Sequence, residues 1–146
     1  MKSSSTETNT QQGGCLQKHL RMKWEIGYVE DRRFIEVKTT GAMGFDENKK
    51  LCEEMLAAGR IKKVNAFLVD QKETAFGLSV FEIDRLPELF SNLGFGIMDK
   101  TAILVNADST SRPLLSFLQD VFGFSSLRVC IFTDSQEAVA WLKKRV

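Results

Sequence analysis

Three continuous apolar runs of strand length constrain this chain most: AFLVD at 66–70, TAILVN at 101–106 and RVCIF at 128–132. A strand with one wet face alternates apolar and polar residues. A strand apolar on both faces must lie inside a sheet covered on both sides, the usual setting of parallel strands joined by helices. The segments between the runs supply that helical period. Over 45–58, Leu51, Cys52, Met55 and Leu56 share one face, and Gly59 is placed to stop the helix. In SVFEIDRLPELF, Ser79 and Glu82 have capping-box spacing, and Pro87 is expected to break or kink the helix they start. In SRPLLSFLQDVFG, Ser111 can cap, Pro113 suits the first turn, and Gly123 ends a face of Leu114, Leu115, Leu118, Val121 and Phe122. TDSQEAVAWLKKRV starts at a Thr133 or Asp134 cap, buries Ala138, Trp141 and Leu142, and closes on Lys143, Lys144 and Arg145, which complement the helix dipole.

Upstream the period changes. Lys23–Val29 alternates, with Trp24, Ile26 and Tyr28 on one face, and Phe34–Thr39 pairs Ile35 with Val37. The short polar link Glu30-Asp31-Arg32 makes the two runs an antiparallel hairpin. The order is therefore β-β-α-β-α-β-α-β-α, an α/β domain with five strands. Residues 1–21 differ from the rest: MKSSSTETNTQQGG is almost without apolar side chains and cannot offset its ordering entropy by burial. They read as a disordered or loosely attached tail before a domain over 22–146, with Met22 an alternative start. The tail has no apolar stretch of the roughly 7–15 residues a signal peptide needs, and no window approaches a membrane span.

Charge and residue inventory narrow the function classes. Against 20 Lys plus Arg stand 19 Asp plus Glu, a net +1. Lys2, Lys18 and Arg21 against Glu7 give the tail +2, leaving the domain at −1 and no basic field for nucleic acid. Three unpatterned Cys argue for reduced thiols in a cytoplasmic protein. The one His, His19, lies in the tail, where with Cys15 it falls short of a metal site. Cys52 and Cys130 occupy apolar positions and read as core residues. Asp46, Asp70, Asp108 and Asp134 sit just beyond strand ends, where ligands of open α/β sheets gather, so a Mg²⁺ or phosphotransfer site centred on Asp70 is one reading. Helix capping explains the other three acids more simply. Gly94-Phe95-Gly96 follows a helix and lacks a third Gly, so it reads as a connector rather than a phosphate cradle. Arg60, Lys62 and Lys63 could meet a phosphate or lipid headgroup, or simply form a solvated helix end. Of eleven Phe, seven (Phe76, Phe81, Phe90, Phe95, Phe117, Phe122 and Phe124) cluster around the second and third helices, either as a Phe-rich core or as an apolar pocket under a mobile second helix hinged at Pro87 and Gly94–Gly96.

The hairpin KWEIGYVEDRRFIEVKTTGAMGFDENKKL, the strand AFLVD, the helix EIDRLPELF and the closing FTDSQEAVAWL together resemble the STAS-like domains. This fold group includes bacterial anti-sigma-factor antagonists and the CRAL-TRIO lipid-binding domains. The resemblance runs from about Met22 to Leu142 and is most specific at FTD-x-x-EA-x-AWL, residues 132–142. It implies a (βα)n superhelix with a mixed five-stranded sheet whose first strand is antiparallel. Anti-sigma-factor antagonists carry a phosphorylatable Ser in an Asp-Ser-Ser-Gly-like loop after the strand matching AFLVD. This chain has Asp70-Gln71-Lys72-Glu73-Thr74-Ala75 there, so only Asp70 matches and the first hydroxyl is Thr74. The expectation is a non-enzymatic regulatory or ligand-sensing module without cofactor, metal or catalytic residues, acting on a protein partner, with a homodimer allowed. Its working surface would be the loop after Asp70 (Gln71, Lys72, Thr74) and the aromatics Phe76, Phe81, Phe90 and Phe95. The alternative is a small apolar ligand or a membrane surface, bound through the second helix as the CRAL-TRIO relatives bind lipid.

Overall fold

The computed structural model describes residues 21–106 and 112–144; Cys15, His19, Asp108 and Ser111 lie outside them, as does the expected tail except for Arg21. The elements follow as β1 (Lys23–Val29), β2 (Phe34–Ala42), α1 (Phe45–Lys62), β3 (Ala66–Ala75), α2 (Val80–Leu93), β4 (Lys100–Leu104), α3 (Arg112–Gly123), β5 (Arg128–Phe132) and α4 (Ser135–Lys143). The sheet runs β1-β2-β3-β4-β5 in chain order. β1 is antiparallel to β2, from Lys23 opposite Thr40 to Val29 opposite Phe34, and every later neighbour is parallel. The expected element order and mixed sheet are both present.

The apolar runs sit where their composition demands. Phe67, Val69 and Ile103 point to one face, where Leu51 and Met55 of α1, Ile83 and Leu86 of α2, and Leu118 and Phe122 of α3 cover them. Leu68, Ala102 and Leu104 point to the other and meet Ala138 and Leu142 of α4. β1 buries only one side, so Trp24, Ile26 and Tyr28 are half-buried in alternation with exposed neighbours.

Four local expectations are corrected. Gly59 does not stop α1, which continues to Lys62 with Lys63 in the left-handed conformation (φ 59°) as its cap. Gly59 is buried inside the helix, because a Cβ there would stand 2.7 Å from Cζ of Phe67. Pro87 does not end α2, which runs to Leu93 and stops at Gly94 (φ 114°). Loss of the one backbone bond is offset by burial of Ile83, Leu86 and Phe90 on the inner face. The Ser79–Glu82 box forms as expected, with reciprocal bonds of 3.2 and 2.9 Å. Trp141 is half-buried rather than core, its ring 5.7 Å from that of Phe132.

The fourth correction concerns the loop expected after Asp70, which is strand. β4 ends with Leu104 opposite Asp70, but β3 continues to Ala75 along β2. Pairing passes from Lys38–Asp70 to Thr40–Glu73, so β3 spends one residue more than β2 over this step, a bulge that twists the pair. Beyond it, Gly41 faces Thr74 and Ala42 faces Ala75. β2 and β3 therefore project past β4 and β5 as a ribbon, flanked along β2 by the start of β1, with Lys23 opposite Thr40 and Arg21 bridging Ala42.

Candidate functional site

The ribbon lies at the carboxyl end of the parallel strands, the end at which open α/β sheets place their ligands. The bulge sends successive side chains of β3 in different directions. Gln71 is buried, Lys72 and Glu73 are exposed, and Thr74 is half-buried. The Asp70 carboxylate accepts the Lys72 backbone N–H at 3.1 Å and lies 3.9 Å from Lys72 Nζ, which closes the bulge locally. The hydroxyls of Thr39 and Thr74 hydrogen-bond each other across the two strands, and Thr39 donates to the Asp70 carbonyl at 3.4 Å. Over this framework lies an open groove of about 480 Å³ lined by Arg21, Lys23, Thr40, Lys72, Glu73 and Thr74, together with Gly41 and Ala75. Three cations and one carboxylate line it with two hydroxyls, a surface able to pair with carboxylates or other anionic groups.

Phe76–Ser79 connect the ribbon to α2, whose first turn leaves Val80 and Phe81 in solvent; Phe81 is 82% exposed. An exposed Phe on the first turn of a capped helix contributes nothing to the core.

Beneath α2 lies a second space, a cavity of about 30 Å³ bounded by Met43, Asn48, Cys52, Gln71, Phe76 and Phe90 among others. That volume admits one or two waters, which Asn48, Gln71 and Thr101 could bond. It is far below the roughly 300–1,000 Å³ of small-molecule sites. Burial pushes the Cys52 thiol up to about 12, with the Glu53 charge adding to the shift, so the thiol stays protonated and is no nucleophile. The shift has a stability consequence. Below about pH 9 both folded and unfolded Cys52 hold the proton. Above it the unfolded thiol ionises first, so stability falls as pH rises from about 9 through about 12. Urea unfolding should show the stability advantage of wild type over Cys52→Ala shrinking by about 1 kcal/mol per pH unit above pH 9. A gap that stays constant to pH 10.5 is the contrary result.

The eight residues expected to form one surface thus divide. Asp70, Lys72 and Thr74 share the ribbon; Gln71, Phe76 and Phe90 bound the inner cavity. Phe81 stands in solvent, and Phe95 is buried beyond the far end of α2, 4.8 Å from the Phe90 ring and 5.7 Å from that of Phe67. Of the seven Phe around the second and third helices, Phe90, Phe95 and Phe122 are buried core, Phe76 and Phe117 pack against it half-buried, and Phe81 and Phe124 are exposed. Sequence reasoning missed Arg21, Lys23, Thr39 and Thr40. The Thr39-Thr40 pair at the end of an alternating run was the available signal, but only the parallel pairing of β2 with β3 brings it to Thr74. The acids do not converge: Asp134 caps α4 through the Gln136 N–H at 3.1 Å, and Asp46 lies in the first turn of α1. Among the described residues no three His, Cys, Asp or Glu side chains are placed to hold a metal ion, and no helix is long and apolar enough to cross a membrane.

Solved structures provide the comparison. An anti-sigma factor antagonist from Mycobacterium paratuberculosis, 13% identical, matches 85% of this chain and 96% of its own with a TM-score of 0.57. An uncharacterised protein with a SpoIIAA-like fold from Shewanella loihica is 20% identical over 83% of this chain and 93% of its own, with a TM-score of 0.49. Unphosphorylated SpoIIAA, an anti-sigma factor antagonist, is 12% identical over 84% of this chain and 100% of its own, with a TM-score of 0.47. No protein-family model and no curated protein matches the sequence. The likeness is one of fold, and the fold is STAS-like.

Proposed function

We propose that this chain, STAS-like in fold, is a non-enzymatic regulatory module that acts by binding a protein partner through the β2–β3 ribbon and the first turn of α2. The folded unit is residues 22–146, and its setting is the cytoplasm. The observation that carries the reading is the combination of an 82%-exposed Phe81 with a charged, hydroxyl-lined groove at the same end of the sheet. A solvent-facing aromatic anchor beside a polar rim is the composition of a protein interface. The anti-sigma factor antagonist of like fold supports association as the mode of action. The inner cavity, with room for one or two waters, supports it over an enclosed apolar ligand.

The test compares wild type with Phe81→Ser and Lys72→Glu in quantitative affinity purification from the source cells, followed by titration of the captured protein. Phe81→Ser should weaken binding about thirtyfold, the size of an interface hot spot. Lys72→Glu should weaken it about three- to tenfold, with the effect fading at high salt. Both side chains are exposed, so stability should stay within about 0.5 kcal/mol of wild type. Binding that survives both substitutions refutes this surface. A dimer that both substitutions dissolve would identify the partner as a second copy of the chain.

A further inference from the structure

The opposite end of the sheet carries a feature that partner binding at the ribbon does not use. Ala66, Lys100 and Arg128 stand side by side at the starts of β3, β4 and β5, so the connectors entering these strands lie along one edge, within about 10 Å at sheet spacing. Each connector or the helix end before it exposes large apolar side chains: Ile61 at the end of α1, Ile97 and Met98 after α2, and Phe124 after α3, the last 93% exposed. Of the six exposed large apolar residues among those described, these are four; the others are Val80 and Phe81 at the ribbon end.

Cations surround them. Lys62 and Lys63 end α1, Arg128 begins β5, and α4 closes on Lys143 and Lys144. The Lys100 ammonium, which donates to the carbonyls of Trp141 and Lys144, draws the end of α4 to the same edge. The positive charges are close enough that Arg128 and Lys144, after burial, hold the Lys100 pKa down. The one acid in the three connectors, Asp99, is buried and neutralised by Arg60 at 2.9 Å. In the β1–β2 turn on this edge, Glu30 and Asp31 are balanced by Arg32 and Arg33.

Lysines at helix ends are explained by the helix dipoles alone. The apolar side chains set among them are not, since exposing Ile, Met and Phe gives the fold nothing. Separate loop tips bearing Ile, Met and Phe inside a ring of Lys suit an interface between water and lipid, whereas lysine is depleted from the centres of protein interfaces. We propose that the amino-terminal edge of the sheet docks on an anionic membrane surface, with Ile61, Ile97, Met98 and Phe124 entering the headgroup layer and Lys62, Lys63, Arg128 and Lys144 facing lipid phosphates. The ribbon, at the other end of the strands, would then point away from the membrane and remain open to a partner.

Vesicle flotation of the full chain tests this, with phosphatidylcholine alone against phosphatidylcholine containing phosphatidylglycerol, at low and high salt. The chain should float with the anionic vesicles, stay in solution with the neutral ones, and dissociate as salt rises. Met98→Asp with Phe124→Asp should lower partitioning at least about tenfold, the equivalent of losing burial of one large side chain. Lys62→Glu with Lys63→Glu should do so about tenfold or more. All four positions lie at the surface edge, so the melting temperature serves as the folding control, and Ile97→Ser provides a milder variant. Equal flotation with neutral vesicles, no flotation at all, or undiminished flotation of the variants overturns the proposal. So does a wild-type dimer in sedimentation that the same substitutions dissolve, since a second copy would then cover this edge.

Discussion

Gly59→Val will remove about 3–5 kcal/mol of stability, a large share of the roughly 5–15 kcal/mol that holds a domain of this size folded. The effect runs against helix propensity. A glycine inside a helix is about 1 kcal/mol worse than alanine, so a free site would gain from any Cβ. At Gly59 a Cβ would lie 2.7 and 2.8 Å from Cζ and Cε1 of Phe67 and 3.0 Å from the Val64 carbonyl oxygen. Phe67 has no room to yield: it is fully buried in the central strand β3, edge-on to Phe95. The Val64 carbonyl is backbone, held by the turn in which the Val64 N–H donates to the Gly59 carbonyl at 2.9 Å. Gly59→Ala should therefore cost about 2 kcal/mol and Gly59→Val more, because its branched side chain adds two methyl groups to the same gap. Urea denaturation reads both. Gly59→Ala with Phe67→Leu should recover at least about 1 kcal/mol relative to the sum of the single substitutions, since the shorter side chain vacates the contact. If Gly59→Ala proves as stable as wild type, α1 can move off the sheet and the close approach is not a constraint.

The same glycine marks the limit of what the sequence makes legible. Element types followed from local pattern: continuous apolar runs became buried parallel strands, alternating runs became the hairpin, and the Ser79–Glu82 spacing became a capping box. The bounds of β1 and β5 and the stops at Gly94 and Gly123 followed as well. The end of α1, the passage of α2 through Pro87 and the end of β3 did not, because each depends on packing or pairing that the local pattern does not show. Gly59 looks like a helix stop until Phe67 is known to press against it. Pro87 looks like a break until Ile83, Leu86 and Phe90 are known to bury on either side of it. The polar stretch Gln71–Ala75 looks like a loop because nothing in it signals a strand; it is one only because β2 runs on beside it to Ala42. The candidate site suffered most from this. Asp70, Lys72 and Thr74 were visible as a polar segment after a strand, but Arg21, Lys23 and Thr40 joined them only through strand pairing. Composition could count aromatic residues but not separate the buried Phe90 and Phe95 from the exposed Phe81, because all three lie in or beside one helix.

Arg60→Met will destabilise the domain by about 2–4 kcal/mol and loosen the connector between α2 and β4. The Asp99 side chain is 5% exposed and its carboxylate is fully engaged: Arg60 Nη1 and Nη2 donate to it at 2.9 and 3.0 Å, and the Gly96 N–H at 2.7 Å. Arg60 also donates to the Gly94 carbonyl at 3.3 Å, so one guanidinium ties the end of α1 to both ends of the connector. Removing the partner of a buried charge typically costs about 3–5 kcal/mol, because the remaining charge stays desolvated. Here Arg60 is half exposed, water can reach the space it leaves, and the lower figure applies. If desolvation is the cause, deleting the charge as well should restore stability. Arg60→Met with Asp99→Leu should therefore be at least about 1 kcal/mol more stable than Arg60→Met alone. Hydrogen exchange supplies the local reading, since the Gly96 and Asp99 amides, bonded within this connector, should exchange faster in Arg60→Met while those of β3 change only with global stability. A loss below about 0.5 kcal/mol would place the pair among ordinary surface ion pairs. The loop bearing Ile97 and Met98 would then be held by the packing of Phe95 and by the Gly96–Asp99 hydrogen bonds.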